Sequence, residues 1–470
     1  MKFRKILFPV VAALALSACD NDDGDDAVQP PPPPPPPPAA TFDLQVLHAS
    51  PDAPPVNIFF NGEEALSGVD YKVGSGRLSF DEGTYPVQVD AIVPGDTVTV
   101  IPETDIDFAG DTIYSIIAVG NVADETLAPL VLEQPGEPVG AGNARAFVVH
   151  AASDPVAASV DVFVTAPDAD LTAEAPLNTE PLAFTETIGP AEVPAGDYQI
   201  RITPAGDPAT VVYDSGTVAL ADGADLLIAA VNNTGLTGES IDLNGEPAVV
   251  SPVSLVVLDG TESAEIRDIN TPAELRVVHA SPDAPNVDVV VNDALTILSD
   301  VPFPAVGPVQ AVDPADYNVK VQATGNPSAV VIDADVTLDA GVVYDVLAIN
   351  TLAAIEPLVL TDDYRRIATE AKLRVIHASP TAAEVDIYLT DSEDISAATP
   401  VLTDVPFAEN TGFLGLAGGS YFVTVTPAGD TTPAIGPVPV TLEAGNLYTI
   451  IARDAVGGGT PLDVIVFGDF

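Results

Sequence analysis

The sequence predicts an all-β protein made of tandem immunoglobulin-like antiparallel β-sandwich domains. Short runs rich in Val, Ile, Thr and Tyr show alternation of apolar and polar residues, which is typical of half-buried strands. Gly, Pro and Asp break these runs about every 8–12 residues, as in β-sandwiches. The whole pattern recurs four times along 470 residues, and no long stretch has a helical apolar face. We therefore expect seven or eight strands in each of four units.

The first 18 residues are predicted to be a lipoprotein signal peptide. Lys2, Arg4 and Lys5 precede an apolar stretch, Ile6 to Leu16, which is too short to span a bilayer. Small residues then lead to Cys19, and this ending resembles a bacterial lipobox. The resemblance implies cleavage before Cys19 and its lipidation, which would anchor the protein to a membrane. The alternative is an ordinary signal peptide followed by a free cysteine.

Residues 19–41 are predicted to form an acidic and polyproline tether. An aspartate-rich run is followed by nine consecutive prolines, Pro30 to Pro38. The run lacks the terminal Glu of a calcium loop, so we interpret it as solvated chain. Polyproline is semi-rigid and would hold the folded part away from a bilayer. We expect a cell-envelope location, with the outer membrane or cell surface favoured over the periplasmic face of the inner membrane.

The charge of the chain excludes several functions. The sequence has 69 acidic and 15 basic residues, a net charge of −54. Nucleic acid and anionic lipid surfaces would be repelled. Since 47% of the residues are hydrophobic, the chain can still build cores. We interpret the acidity as a solvated, self-repelling surface, and weak binding of divalent cations between units is the alternative.

Four repeats follow the tether, and each opens with a strand that ends in His. The predicted domains are 42–133, 143–259, 273–362 and 371–470, with an insertion in the second near 166–182. The linkers between them are short, so we expect a semi-rigid string of beads. A tyrosine after a turn in each repeat is predicted to form a tyrosine corner, in which its hydroxyl ties the turn to the backbone. These residues are Tyr85, Tyr198, Tyr317 and Tyr421.

The four histidines of the chain occupy one repeat position and are the candidate site. They are His48, His150, His279 and His377, followed four residues later by Asp52, Asp154, Asp283 and Thr381. One hypothesis joins each His to these aspartates and to a strand residue (Asn57, Asp161, Asp288 or Asp386) in a small metal or ligand site. The other is structural: the ring bonds the following turn and the Asp caps it. We favour the structural hypothesis, because one His per unit is too few for a closed zinc site.

The repeats resemble a known bacterial family. The His-Ala-Ser-Pro-Asp-Ala-Pro start, the Val-Asp-Val strand and the Ala-Gly-x-Tyr turn are similar to the domain of unknown function 4397, most closely at 44–56 and 275–287. The resemblance covers nearly the whole chain after the tether. It implies secreted or surface-anchored envelope proteins and brings no established activity.

No enzymatic motif stands out. Gly-x-Ser-x-Gly, His-Glu-x-x-His and phosphate loops are absent from the sequence. We therefore predict no catalytic residue, no resident metal and no cofactor. The expected role is structural, adhesive or interactive, with envelope polysaccharide or a surface protein as partner. The alternatives are a ligand- or metal-binding module and, less favoured, an enzyme acting on envelope polymers.

Overall fold

The structure, a computed structural model, describes residues 40–469. The predicted signal peptide (1–18), Cys19 and all but the last two residues of the predicted tether (19–41) lie outside the described residues. The described part contains 34 β-strands and three short 3₁₀ helices, which fall into four successive groups. These groups are the first to fourth repeats below. No helix within residues 40–469 is long and apolar enough to span a membrane.

The first two repeats contain strands β1 to β17. The first comprises β1 (Thr41–His48), β2 (Val56–Phe60), β3 (Glu63–Val69), β4 (Leu78–Asp81), β5 (Gly83–Val93), β6 (Asp96–Phe108), β7 (Thr112–Val119) and β8 (Ala128–Pro135). The second comprises β9 (Asn143–His150), η1 (Pro155–Ala157), β10 (Ser159–Thr165), η2 (Leu171–Ala173), β11 (Leu182–Ala183), β12 (Thr187–Pro194), β13 (Gly196–Pro204), β14 (Tyr213–Leu220), β15 (Asp225–Asn232), β16 (Val253–Leu258) and β17 (Ser263–Ile266).

The last two repeats contain strands β18 to β34. The third comprises β18 (Ala273–His279), β19 (Val287–Val291), β20 (Leu295–Val301), β21 (Ala305–Val306), β22 (Gln310–Val312), β23 (Ala315–Ala323), β24 (Val330–Leu338), β25 (Val343–Ile349), η3 (Leu352–Ala354) and β26 (Glu356–Asp362). The fourth comprises β27 (Ala371–His377), β28 (Val385–Thr390), β29 (Leu402–Val405), β30 (Leu414–Leu416), β31 (Gly419–Pro427), β32 (Ile435–Leu442), β33 (Leu447–Arg453) and β34 (Asp463–Gly468).

Each repeat is a sandwich of two sheets, which confirms the predicted fold class. The first-strand sheet, named for the strand that opens the repeat, has the order β4-β1-β7-β8 in the first repeat. The second-strand sheet has the order β3-β2-β5-β6. Equivalent sheets recur in the other three repeats. Almost all neighbouring strands are antiparallel, but the opening strand pairs in parallel with a late strand in every repeat, as β1–β7, β9–β15, β18–β25 and β27–β33.

The predicted tyrosine corners are confirmed in all four repeats. In each, the tyrosine hydroxyl donates a hydrogen bond to the carbonyl oxygen four residues earlier, at 2.7–2.9 Å. The bond closes the turn that leads into the long strand of the second-strand sheet. The pairs are Tyr85 with Asp81, Tyr198 with Pro194, Tyr317 with Asp313 and Tyr421 with Ala417.

The expected string of beads is wrong, because the repeats pack against one another through their first-strand sheets. In the first two repeats, Leu47 and Ile117 share one buried apolar cluster with Val149, Leu227 and residues around them. Val278 and Leu347 of the third repeat share another cluster with Ile376 and Ile451 of the fourth. The first-strand sheets are therefore buried on both faces, one toward the sandwich interior and one toward a neighbouring repeat.

The second repeat carries two insertions rather than the one that the sequence analysis placed near 166–182. The first separates β10 from β11 and contains η2. The second, residues 233–252 between β15 and β16, reaches the third repeat. There Ile241 donates a backbone hydrogen bond to Val309 at 3.0 Å and accepts one from Ala311 at 2.8 Å. Strand β17 lies within the segment 260–272 that we expected to be a linker.

Candidate functional site

The four histidines end the opening strands and point their rings into structurally equivalent loops. All four are buried. In each, Nε2 lies within hydrogen-bond distance of a carbonyl oxygen six or seven residues later, and a carbonyl can only accept, so Nε2 carries the proton. The partners are Pro54 for His48 (3.1 Å), Ala157 for His150 (2.5 Å), Pro285 for His279 (3.1 Å) and Ala383 for His377 (3.0 Å).

Burial keeps these imidazoles neutral. Desolvation lowers the pKa of His48 to about 4, although the hydrogen bond to the Pro54 carbonyl opposes the shift. Burial also lowers the pKa of His150, His279 and His377, again against the effect of a carbonyl partner. Each ring therefore acts at neutral pH as an uncharged donor that closes its loop, and it is not poised to exchange protons.

The aspartates that follow the histidines bond to a different loop. Asp52 accepts hydrogen bonds from the backbone of Val122 (2.8 Å) and Ala123 (2.9 Å), in the turn after β7. Asp283 accepts one from Leu352 at 2.6 Å, at the start of η3. The carboxylate therefore ties the loop after the first strand to the loop before the last strand. In the second repeat, the neighbour of Asp154, Ser153, bonds through its backbone to the side chain of Asn232 (2.7 Å).

The fourth repeat makes this link with the donor and acceptor exchanged. Thr381 stands where the other repeats have Asp, and its hydroxyl donates to Asp454 at 3.0 Å. Ser379 also donates to Asp454, which is fully buried in the loop after β33. Asp454 further accepts from the backbone of Gly459 at 2.8 Å. In this repeat the carboxylate therefore lies in the loop after β33 instead of the loop after the first strand, and the two loops are still connected.

The strand residues Asn57, Asp161, Asp288 and Asp386 do not join the histidine loops. Asn57, Asp288 and Asp386 accept hydrogen bonds from the edge strand of their second-strand sheet, whereas Asp161 accepts from Asn178 of the first insertion (3.0 Å) and from the backbone of Gly206 (2.7 Å). In the fourth repeat, the two oxygens of Asp386 accept from Asp404 and Gly429, both at 2.9 Å. In the third, Asp288 accepts from Asp300 at 2.9 Å, and in the first, Asn57 accepts from Gly68 at 3.0 Å. The donors Asp404, Asp300 and Gly68 have positive φ in edge strands whose register is interrupted, so the side chain fixes a bulge there. Gly429 lies instead in the turn between β31 and β32.

The arrangement offers no obvious metal chemistry. Across residues 40–469, no cluster of three or more His, Cys, Asp or Glu side chains is placed to hold a metal ion. The histidine ring and the nearby carboxylate serve separate hydrogen bonds to backbone and hydroxyl groups. What the sequence-predicted residues can do together is fix the ends of the sandwich.

Sequence reasoning missed a polar network between the repeats. In the parallel pairs, Arg145 lies across from Asp225 and Arg276 across from Asp345. Arg145 holds Asp225 in a two-point contact at 2.7 and 2.8 Å. Arg374 of the fourth repeat reaches Asp345 of the third. For Arg276 and Arg374 the signal in the sequence was a basic residue at the second position of the opening Leu-Arg-Val motif, flanked by apolar residues; Arg145 lies outside this motif, two positions earlier in its strand.

A basic residue also links the packed pair formed by the first and second repeats to the pair formed by the third and fourth. Arg365, in the segment before the fourth repeat, donates to the backbone carbonyl of Ala53 at 2.8 Å and pairs with Asp70, both in the first repeat. Ala368 donates to the carbonyl of Asp52 at 2.8 Å. A polar cavity of about 440 Å³ lies beside this joint, with Lys72 and Arg267 in its wall. Both of these side chains pair with Glu265.

Comparisons with solved structures and curated proteins add little about function. The Bacillus anthracis TIE protein aligns over 88% of this chain and 68% of its own at 12% identity, with a TM-score of 0.16. A SusE-like surface located polysaccharide binding protein from the Bacteroides thetaiotaomicron heparin utilisation locus aligns over 87% and 99% at 11% identity, with a TM-score of 0.09. Scores this low carry no argument about the chain. No curated protein matches the sequence.

A family model gives a clear result. The model described as "Domain of unknown function (DUF4397)" matches residues 42–163 and 273–388, just over half of the chain. Each match spans one whole repeat and most of the first two strands of the repeat that packs against it. The predicted resemblance is therefore confirmed, with tandem copies, and the chain belongs to the DUF4397 family.

Proposed function

We propose that this chain is a non-enzymatic, lipid-anchored protein of the bacterial cell envelope. Its four repeats serve as one fixed interaction module with an acidic surface. The sequence supports the anchor through Cys19 and the residues before it. The observation that supports an interaction role is that basic residues in 40–469 are mostly buried or paired, whereas most acidic residues are not buried.

Basic residues in the described part of the chain are buried or paired. Six of its twelve are buried arginines: Arg145, Arg201, Arg276, Arg365, Arg374 and Arg453. The two exposed ones are Arg267, which pairs with Glu265, and Arg366, which pairs with Asp469. By contrast, only six acidic residues in this part are buried. Most of the basic residues are therefore buried or paired inside the packed repeats, and the charged groups left on the outer surface are almost all acidic.

Such a surface selects its partners by charge. It repels nucleic acid, anionic lipid and acidic polysaccharide, and it attracts basic protein surfaces over a range set by the ionic strength. We therefore favour a basic protein of the envelope or its surroundings as the partner. The packed repeats would present several acidic faces in fixed directions, which favours multivalent contact with an extended or oligomeric partner.

The location is tested by protease treatment of intact cells, with a known periplasmic protein as control. We expect the repeats to be digested or released while the control survives. The same experiment on Cys19→Ser is expected to yield protein that no longer sediments with membranes. Protection of the wild-type protein until the outer membrane is breached would contradict surface display. Membrane association of Cys19→Ser would contradict the lipid anchor.

The charge argument is tested by binding of the purified repeats to immobilised poly-lysine and to heparin. Poly-lysine is expected to bind and to release the protein as salt rises, and heparin is expected not to bind. Binding to heparin at physiological salt would contradict the acidic interaction surface.

A further inference from the structure

The interior of the second repeat contains an apolar cavity between its two sheets. Its volume is about 110 Å³. The first repeat has one cavity of about 40 Å³ at the equivalent place and another of about 120 Å³ beside His48, toward the end of its sandwich. The wall of the cavity in the second repeat is formed by aliphatic residues of both sheets, by Tyr198 and by His150. An engineered apolar cavity of about 150 Å³ remains dry and binds benzene or xenon. A space of this size and composition therefore suits a small apolar molecule better than water.

The cavity exists because one cross-strand pair is truncated on both strands. Ala146 of β9 lies directly across from Ala191 of β12, and both line the cavity. The corresponding pair is Leu44–Leu78 in the first repeat and Leu373–Leu414 in the fourth. In the third repeat it is Leu275–Gln310. Each Leu has three more carbons than Ala, so the second repeat lacks the side chains that fill this space in its siblings.

An unfilled space of this kind is costly, since the surrounding core collapses only partly into it. The other three repeats show that the same fold accepts large side chains at this position. A bound apolar molecule would restore the missing van der Waals contacts. Ligand binding would therefore explain why two small residues occupy this pair.

One polar atom near the cavity has no partner. His150 lines the cavity and donates through Nε2 to Ala157, while its buried Nδ1 makes no hydrogen bond. In the third and fourth repeats, the corresponding Nδ1 accepts from the backbone of Ser281 and Ser379, both at 3.4 Å. The neutral ring therefore leaves a hydrogen-bond acceptor available in the second repeat, as His48 does in the first, where the buried Nδ1 also makes no hydrogen bond.

The first insertion of the second repeat contributes a residue to the cavity wall. Leu177 belongs to both the insertion and the cavity wall, and it is 40% exposed. The neighbouring Asn178 fastens the insertion to β10, because its side-chain oxygen accepts from the Val162 backbone at 2.8 Å and its nitrogen donates to Asp161 at 3.0 Å. Leu177 therefore lies where the cavity wall meets solvent, as does Ala191, which is also exposed.

We propose that the second repeat binds a small apolar molecule, of the size of benzene or phenol, inside its sandwich. A single hydroxyl group on the ligand donates to Nδ1 of His150. This site is independent of the proposed location and of the acidic surface. The truncated Ala146–Ala191 pair distinguishes this site from the interiors of the other three repeats.

Binding of phenol and of toluene to the purified repeats tests the proposal, with calorimetry as the readout. We expect both to bind, and phenol about fivefold more tightly, as one net hydrogen bond implies. Ala146→Leu fills the cavity and is expected to reduce both affinities at least tenfold. The matched control is Ala144→Val, which changes the same strand outside the cavity wall and is expected to leave both affinities unchanged.

Two further measurements keep the test decisive if Ala146→Leu does not fold. Ala191→Leu fills the same space from the partner strand and is expected to have the same effect. Xenon binding to the wild-type protein, followed by ¹²⁹Xe chemical shift, reports the cavity directly. The proposal is overturned if neither probe nor xenon binds, or if both filled variants fold and bind as the wild type does. Equal affinity for phenol and toluene would overturn the role of His150.

Discussion

Arg374 of the fourth repeat donates to Asp345 of the third across 2.6 Å, and both side chains are buried between the two repeats. Asp362 accepts a second bond from Arg374 at 2.5 Å. The Nε of Arg276 lies 3.6 Å from the other oxygen of Asp345. Two arginines and two aspartates therefore balance one another inside an apolar interface. Removing a single member would leave a buried charge without its partner.

Asp345→Ala is expected to lower the free energy of unfolding by about 3–5 kcal/mol, because it leaves buried guanidinium groups uncompensated. Urea denaturation measures the change. Asp463→Ala is the control, since the Asp463 side chain is 62% exposed and its buried partner Arg453 keeps a hydrogen bond to the Asp454 carbonyl. The loss of the Asp463 carboxylate is expected to cost about 0–1 kcal/mol. Equal losses in the two variants would show that the buried network does not hold the repeats together.

Arg365 and Arg366 are adjacent in sequence but differ in burial, so they form a matched pair. The side chain of Arg365 is 5% exposed and binds the first repeat, whereas that of Arg366 is 44% exposed and binds Asp469. Arg365→Ala is expected to destabilise the protein by several kcal/mol and to expose the segment 361–371 to protease. Arg366→Ala is expected to cost about 1 kcal/mol or less. Similar cleavage rates in both variants would refute the bridging role of Arg365.

Stability is expected to fall as the pH drops from about 6.5 to 4. The pKa of His48 is about 4 in the folded protein, below its ordinary value of 6.5, so in this window the unfolded chain takes up a proton that the folded one does not. For His48 the loss amounts to about 3 kcal/mol. The lowered pKa values of His150, His279 and His377 act in the same direction.

Asp362 acts in the opposite direction. Burial and the charge of Asp345 raise its pKa to about 6, so its contribution to stability is present at low pH and is lost as the pH rises through 6. Glu370, whose pKa burial also raises, acts in the same direction as Asp362. With four histidines against these two acids, we expect the net effect to remain a loss of stability on acidification. Urea denaturation between pH 7.5 and 4.5 measures the slope. His48→Gln keeps a donor for Pro54 and should flatten the slope; an unchanged slope would contradict the assignment.

The tyrosine corners are expected to contribute to stability separately. Replacing Tyr85, Tyr198, Tyr317 or Tyr421 with Phe removes one hydroxyl-to-carbonyl bond and should cost about 0.5–1.5 kcal/mol. Since the corners lie in different repeats, the losses should add. Tyr388→Phe is the control, because no hydrogen bond of its hydroxyl is seen within residues 40–469. Thermal denaturation of single and combined variants checks the prediction, and a near-zero loss in all four would contradict it.

The repeat unit, its strands and the tyrosine corners were predictable because they depend on residues close together in sequence. The sequence also indicated the packing between repeats, through a pattern within the opening strands. The opening strands contain adjacent apolar residues, such as Val46–Leu47 and Val277–Val278. Neighbouring residues of a strand point to opposite faces, so such pairs indicate a strand buried on both sides.

Other features depend on residues far apart and could not be predicted from one sequence. Thr381 in place of Asp looked like the loss of a motif residue. The structure shows that Asp454, in the loop after β33, restores the link from the opposite side. Likewise, nothing in the sequence placed Ala191 across from Ala146, because the pairing depends on the register of two strands separated by an insertion.

The parallel pairing of each opening strand has a consequence for the order of folding. In the first repeat, Gln45 bonds to Ser115, 70 residues later, and in the second Arg145 bonds to Asp225, 80 residues later. Closing such long loops is entropically costly and slows folding. As the chain is synthesised, the opening strand of each repeat therefore stays unpaired with its parallel partner until the end of its own unit has been made. A chain that stops short of that point exposes an apolar edge, which makes early folding the period of greatest risk of aggregation.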